Sequence, residues 1–366
     1  VKPNTGKYVQ QLRAIKVTIN KEYVLAFVAV ILGLLAGAAL MLLTGNNPVS
    51  GYYYLFRGGL MNVERVGNTL ATATPLIFTG LSVAFAFRTG LFNIGASGQM
   101  LIGGLFATAV GLTLDWPKPL LLPVMVFAAL VGGGLWAALP GWLKARFNVH
   151  EVVATIMMNW IAYWTVFYTV PRYFKGPFLE TESQRIPYNA SLKLNSLTSL
   201  FGGSYINLGI FIALLFVLIA AVILERTTLG YELKAVGFNR HAAESAGISV
   251  NKNIILSMTI AGALAGLGGA TFYVGYASNM QIGVLPSHGF DGIAVALLGA
   301  NTPLGVLGAS VFFGLLHTGK GFMNAMTRIP PEIADTVMAT IIYFAATSIM
   351  VERVWTRWRA KRGGVR

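Results

Sequence analysis

The chain has 366 residues, 55% of them hydrophobic and only 11% charged, where soluble domains carry roughly a quarter. From Tyr23 to Phe56 there is no Asp, Glu, Lys or Arg, and mean hydropathy is +0.66. A bilayer is crossed by about 20 apolar residues, so an ordinary soluble domain is excluded. The net charge of +14 does not point to nucleic acid, because the cations sit at the ends of apolar runs and in the two tails, with no basic stripe interleaved with aromatics. Absence of cysteine excludes disulfides, thiolate metal sites and a cysteine nucleophile.

In chain order, a basic N-terminal tail (1–22) precedes an apolar run at 23–44, too long for a signal-peptide core and read as a retained span. Further apolar segments lie at 66–87, 90–113, 119–143, 152–171, 206–224, 253–275, 288–319 and 333–351, followed by a basic tail at 352–366. Nine crossings from a cytoplasmic N-terminus would divide Lys and Arg almost evenly between the two sides, against the positive-inside rule. Segment 288–319 is over-long and holds Asn301-Thr302-Pro303, and proline disfavours helix at and before its own position. Splitting it into 287–300 and 303–319 gives ten spans. Both termini then lie in the cytoplasm, and the cations divide two to one in favour of the inside. One transmembrane domain (23–351) is predicted, with an external loop at 172–205 and a cytoplasmic loop at 225–252. The external loop reads as a solvated connector or a docking surface for an external partner.

Ion-coupled carriers place ionisable groups within the membrane. Here Glu151, Asp291 and Asp335 fall near span ends and Arg88 in a short turn, and no Asp, Glu, Lys or Arg occupies a span centre. An energy source outside this chain is therefore expected. Residues 314–321 (GLLHTGKG) approach a phosphate-binding loop but carry Gly321 where a magnesium-holding hydroxyl belongs, and they follow a membrane helix rather than a strand. The four histidines show no ligand spacing and read as loop or helix-end residues. Neither a metal site nor a catalytic constellation is expected.

Glycines recur inside spans, at Gly132-Gly133-Gly134, at Gly262 with Gly266, and at Gly268-Gly269, as residues that let membrane helices approach closely. A different use occurs in residues 91–100 (LFNIGASGQM), polar and Gly-rich where a span starts, and again in 288–299 (HGFDGIAVALLG). In the ten-span topology these two run in opposite directions, as an inverted repeat of spans 2–5 and 7–10 would have them. Interrupted helices at matched positions mark a translocation path. The loop at 227–249 (TTLGYELKAVGFNRHAAESAGIS) predicts two short helices, 230–236 and 240–246, broken at Gly237 and ended at Gly247, a form suited to presenting a surface to a soluble partner.

Together the stretches FNIGASGQMLIG (92–103), HEVVATIMMNWIA (150–162), the loop at 227–249 and GFDGIAVALLGANTPLG (289–305) resemble permease subunits of bacterial ABC importers in the ribose, nucleoside and branched-chain amino-acid group. Asn93-Ile94-Gly95 gives the form closest to the nucleoside, Bmp-associated, permeases. The resemblance implies an all-α integral membrane protein of the type II ABC importer fold in a bacterial plasma membrane. It implies no cofactor in this chain, with ATP and magnesium held by a partner ABC ATPase, and as further partners a second homologous permease and an external nucleoside-binding lipoprotein. It places the ATPase contact at 230–247, where Gly230, Leu233, Ala235, Gly237, Asn239 and Ala242 are the expected coupling residues. For the translocation path, Phe92, Asn93, Gln99, Asn159, Trp160, Phe290 and Asp291 are expected, since amides and aromatics suit a nucleoside. Alternatives are a pentose or branched-chain amino-acid permease and a stand-alone secondary carrier.

Overall fold

The computed structural model describes residues 5–177 and 180–347, with side chains from Val24 onward. The expected basic tail (352–366), the end of the last span and the cationic side chains of the N-terminal tail lie outside the described residues. Fourteen α-helices account for most of what is described. Such a chain must pair its backbone groups internally when it sits in lipid, and helices do so within one segment. Among the described residues, bridging between extended segments is confined to Lys175 with Ser183 and Glu182 with Gln281.

Helix α1 runs from Thr5 to Leu43, so it extends well into the expected tail; its apolar part is Val24–Leu43. The first connection holds a helix that periodicity does not single out, α2 (Pro48–Leu60), started by Asn47 capping Val49 N and by Pro48 at the first position. It lies against α13 (below), where the Leu55 carbonyl meets Gly319. Next come α3 (Val63–Arg88), α4 (Ala96–Thr113), α5 (Lys118–Phe147) and α6 (Glu151–Tyr173). After α7 (Asn195–Leu200) and α8 (Gly209–Arg226), the chain forms α9 (Thr228–Phe238) and α10 (Arg240–Ser245). Helix α11 (Val250–Ala270) widens into a π-helical turn at Thr271–Ala277, and α12 (Ser287–Leu298), α13 (Pro303–Thr327) and α14 (Pro331–Ala346) follow.

Among the described residues eight helices are long and apolar enough to cross a membrane and α12 is a shorter apolar helix, while α14 covers the described part of the expected last span. The break between α12 and α13 falls at Gly299–Thr302, with Ala300 and Asn301 both left-handed (φ 52° and 51°) and Pro303 opening α13. Residues 314–321 lie inside α13, where their amides are committed to the helix.

Helices α3, α4 and α11 form the centre and are mostly buried, whereas α1, α6 and α8 turn most of their apolar surface outward. What lets α4, α5 and α11 close up is glycine. A Cβ at Gly266 would overlap the Ala129 carbonyl of α5, and one at Gly103 of α4 would overlap the Gly266 backbone. This is the small-residue packing that membrane helices need in the absence of a hydrophobic drive between them.

The 172–205 loop folds back over its end of the bundle. Ser183 N donates to the Met280 carbonyl (2.9 Å), Ile186 N to Ser278 (2.9 Å) and Leu192 N to Val274 (3.2 Å). Lys193 reaches Ser278 Oγ at 2.9 Å. Burial, and secondarily the nearby Arg185 charge, push its ammonium below the usual lysine range.

Candidate functional site

Three features place the expected site residues. The first is the interrupted helix. Between α3 and α4, residues 91–94 take no regular structure, yet Leu91, Asn93 and Gly95 are buried, so their backbone groups need partners. Side-chain amides supply them. Asn93 and Gln99 exchange a reciprocal pair of hydrogen bonds, Nδ2 to Oε1 at 2.9 Å and Nε2 to Oδ1 at 3.0 Å. Asn93 Oδ1 also accepts from Gly95 N (3.0 Å). Asn159 on α6 accepts from Gly98 N (2.8 Å) and donates to the Ile94 carbonyl (3.0 Å). Leaving such a buried group unpaired costs about 1–3 kcal/mol. In this conformation Asn159 holds the broken helix to α6, while Asn93 and Gln99 turn their amides toward each other.

The counterpart of this break enters from the opposite end. After the π-helical turn the chain runs without helix from Ser278 to Pro286 and starts α12 at Ser287. There the starts of α4 and α12 meet: Gly289 lies so close to Ser97 that a Cβ would overlap its backbone, and Ser97 Oγ donates to the Pro286 carbonyl (3.0 Å). Thr79 of α3 donates to the His288 carbonyl (2.8 Å). The two matched, oppositely running sequences are thus brought together at their helix starts.

The remaining expected path residues do not join them. Phe92 packs against Phe87 with the rings tilted (5.2 Å between centroids, 49°). Trp160 lies on the outer face of α6, 50% exposed, in a row with Tyr163, Trp164 and Phe167. Phe290 is exposed on α12, and Asp291 faces His317 of α13 at 3.4 Å.

The second feature is a cavity of about 480 Å³ at the 172–205 end, between α3, the π-helical turn, α12 and α13. Its rim includes Arg65, Tyr205 and Lys320; its floor includes Pro75 and His288. Phe272 and Tyr276, four residues apart on the π-helical turn, lie nearly parallel (15°, 5.8 Å), and the His288 and His317 rings face each other (19°, 6.2 Å). Reading the histidines as loop or helix-end residues describes His150, which caps α6, and His288, the second residue of α12, but not His317, which lies inside α13. The available signal was that an ionisable side chain inside a predicted span is a functional candidate, and His317 falls within segment 288–319.

The third feature is the 227–249 end. Helices α9 and α10 are parted at Asn239, not at Gly237 as the sequence suggested. Asn239 is extended (φ −158°) and its side chain caps α10 by accepting from Ala242 N, so the asparagine is the punctuation. Gly237 is helical and serves close approach: a Cβ there would overlap the Arg88 carbonyl and lie 2.9 Å from the Thr89 carbonyl carbon. Leu233 is buried and Gly230 abuts the α8 backbone, so these two and Gly237 face the chain's own body. Ala235, Asn239 and Ala242 line an open groove with Tyr231 and Phe238, the latter 95% exposed. Sequence reading missed Tyr231 and Phe238, which an outward helical stripe would have flagged.

Residues 65–346 match the family described as branched-chain amino acid transport system / permease component. A guanosine ABC transporter permease protein, NupP of Bacillus subtilis, is 44% identical over 91% of this chain and 96% of its own length. The nucleoside ABC transporter permease protein NupB of Lactococcus lactis is 40% identical over 91% of this chain and 93% of its own. A glucose ABC transporter permease protein, TsgB13 of Haloferax volcanii, is 31% identical over 88% and 87%. No solved structure matches the chain.

Proposed function

The chain belongs to the branched-chain amino acid transport system / permease component family, and from that premise we propose that it forms the translocation path for nucleosides in an ATP-driven importer. It is a multi-pass membrane permease, and ATP hydrolysis belongs to a separate subunit. What carries the nucleoside assignment is identity of 44% and 40%, over nine-tenths of the chain, to permeases named for guanosine and nucleosides. The glucose relative is more distant at 31%.

In this reading the 227–249 end is cytoplasmic. The groove edged by Tyr231 and Phe238 receives the ATPase, with Ala235, Asn239 and Ala242 in the contact, while Gly230, Leu233 and Gly237 fix α9 to the permease body. An apolar groove with projecting aromatics is the chemistry of a protein contact rather than of lipid. The outward faces of α5, α6 and α8 meet lipid or a second, homologous permease. Phe92, Asn93, Gln99, Asn159, Trp160, Phe290 and Asp291 remain the proposed path residues; Asn93, Gln99 and Asn159 become available to substrate only when the amide cluster opens. ATP binding closes the ATPase pair, moves α9 and α10, and rocks the permeases between outward- and inward-facing states. A nucleoside-binding lipoprotein delivers substrate at the 172–205 end.

Vesicles holding the permeases, the ATPase and the binding protein should take up labelled guanosine only when ATP is inside. Uptake that persists without the ATPase would make this a stand-alone carrier. Orientation is tested separately: a reporter fused at Gly363 should read cytoplasmic, and an external signal would remove one crossing from the ten.

A further inference from the structure

We infer that the cavity at the 172–205 end is a binding site within the single permease chain for an uncharged nucleoside, engaging the base rather than the sugar. The choice of ligand class rests on the importer reading above; the site itself rests on the cavity's shape and chemistry. Its volume of about 480 Å³ lies within the roughly 300–1,000 Å³ of small-molecule sites. Arg65 and Pro75 are ten residues apart on α3, so the cavity reaches about 15 Å into the bundle at 1.5 Å per residue.

Its walls are aromatic and its polar groups neutral. Tyr276 lies parallel to Phe272 and tilted against Tyr205 (5.3 Å), while Phe272 lies 4.8 Å from the His288 ring. A planar base finds stacking partners on such a wall. Residues 272 and 276 share one face through their i, i+4 spacing, and they stand on a π-helical turn, a feature that recurs at functional sites. Hydrogen-bonding edges come from Asn68, whose Oδ1 accepts from Tyr205 N and whose amide protons remain to donate, and from the His288 imidazole.

The cations stand at the rim: Lys320 is held by Asp335 at 2.8 Å, and the Arg65 guanidinium lies over the Phe322 ring at 5.3 Å. His317 stands 3.4 Å from Asp291. Below the rim the cavity offers a ligand aromatic faces and neutral donors and acceptors, which fit a nucleoside base.

The test is equilibrium binding of tritiated guanosine to the assembled permease–ATPase complex in lipid nanodiscs, without binding protein or ATP. Saturable binding is expected, displaced by unlabelled guanosine and not by ribose. Tyr276→Ala and His288→Ala should each weaken it about tenfold, the range of a lost base stack, while Tyr276→Phe retains stacking and most of the affinity. Circular dichroism and gel filtration of each variant separate loss of binding from loss of fold; if an alanine variant misfolds, His288→Gln and Tyr276→Leu replace it. No saturable binding, equal displacement by ribose, or folded variants that bind like the parent overturn the inference. ATP-driven guanosine uptake by the complete system, measured on the same preparation, stands apart: uptake without binding here sinks the cavity site alone, whereas uptake of sugar and not guanosine sinks the importer reading.

Discussion

Gly237→Leu is expected to lower ATP-driven uptake at least tenfold while the protein still inserts and folds. The new Cβ would strike the backbone at Arg88 and Thr89, which cannot rotate away as a flexible side chain would. Relief comes from displacing α9 outward, and overpacking of this kind costs about 1–3 kcal/mol. The displacement falls on the helix proposed to receive the ATPase stroke, and the turn it presses begins the non-helical stretch that precedes α4. ATP hydrolysis should continue with transport uncoupled from it, and capture of nucleoside by the binding protein should be untouched. Uptake and ATPase rates measured together in proteoliposomes check this; a variant with parental uptake would remove α9 from the coupling route.

Gly266→Leu should have the largest effect on stability. Three helices meet at this residue, with the Ala129 carbonyl of α5 inside the space a Cβ needs and Gly103 of α4 on its Cα. What a Cβ at Gly266 would meet, the Ala129 carbonyl and Gly133 Cα of α5, is backbone, so the cost exceeds the roughly 3 kcal/mol at which ordinary overpacking ends. At about 2–4 °C per kcal/mol, the melting midpoint in detergent should fall by several degrees, and yield with it. Gly308→Ala is the control. Nothing lies within 4 Å of a Cβ there, and alanine in a helix is favoured over glycine by about 1 kcal/mol. Equal melting of Gly266→Leu and the parent would mean that α4, α5 and α11 do not pack through their glycines.

Much of this architecture could be read from residue order because the bilayer imposes it. The charge-free runs, Pro303 after Asn301, and the glycine faces each state a local constraint that lipid leaves no means to evade. The matched FNIGASGQ and HGFDGIAV stretches pointed to helix starts that do come together. What stayed hidden depends on contacts distant in sequence. Helix α2 is short and has no span-length pattern; it owes its place to Gly319 on α13. Asn93, Gln99 and Asn159 read as path-lining amides because amide chemistry is the same whether it serves a ligand or a backbone; only their mutual distances reveal the second use. Phe272 and Tyr276 sit at the i, i+4 spacing of one helix face, but nothing in the order of residues says that this face lines a cavity, and His288 and His317, 29 positions apart, showed no motif until α12 and α13 folded back on each other.

The Arg88 guanidinium, Nε donating to the Asn301 carbonyl at 3.1 Å, ties the α3–α4 turn to the α12–α13 turn, and Gly237 bears on the first of these. The two halves of the chain are thereby knotted together at the end where α9 packs. In the proposed importer a push on α9 would reach both turns through this one knot, so the broken helices of the two halves would move together rather than one after the other.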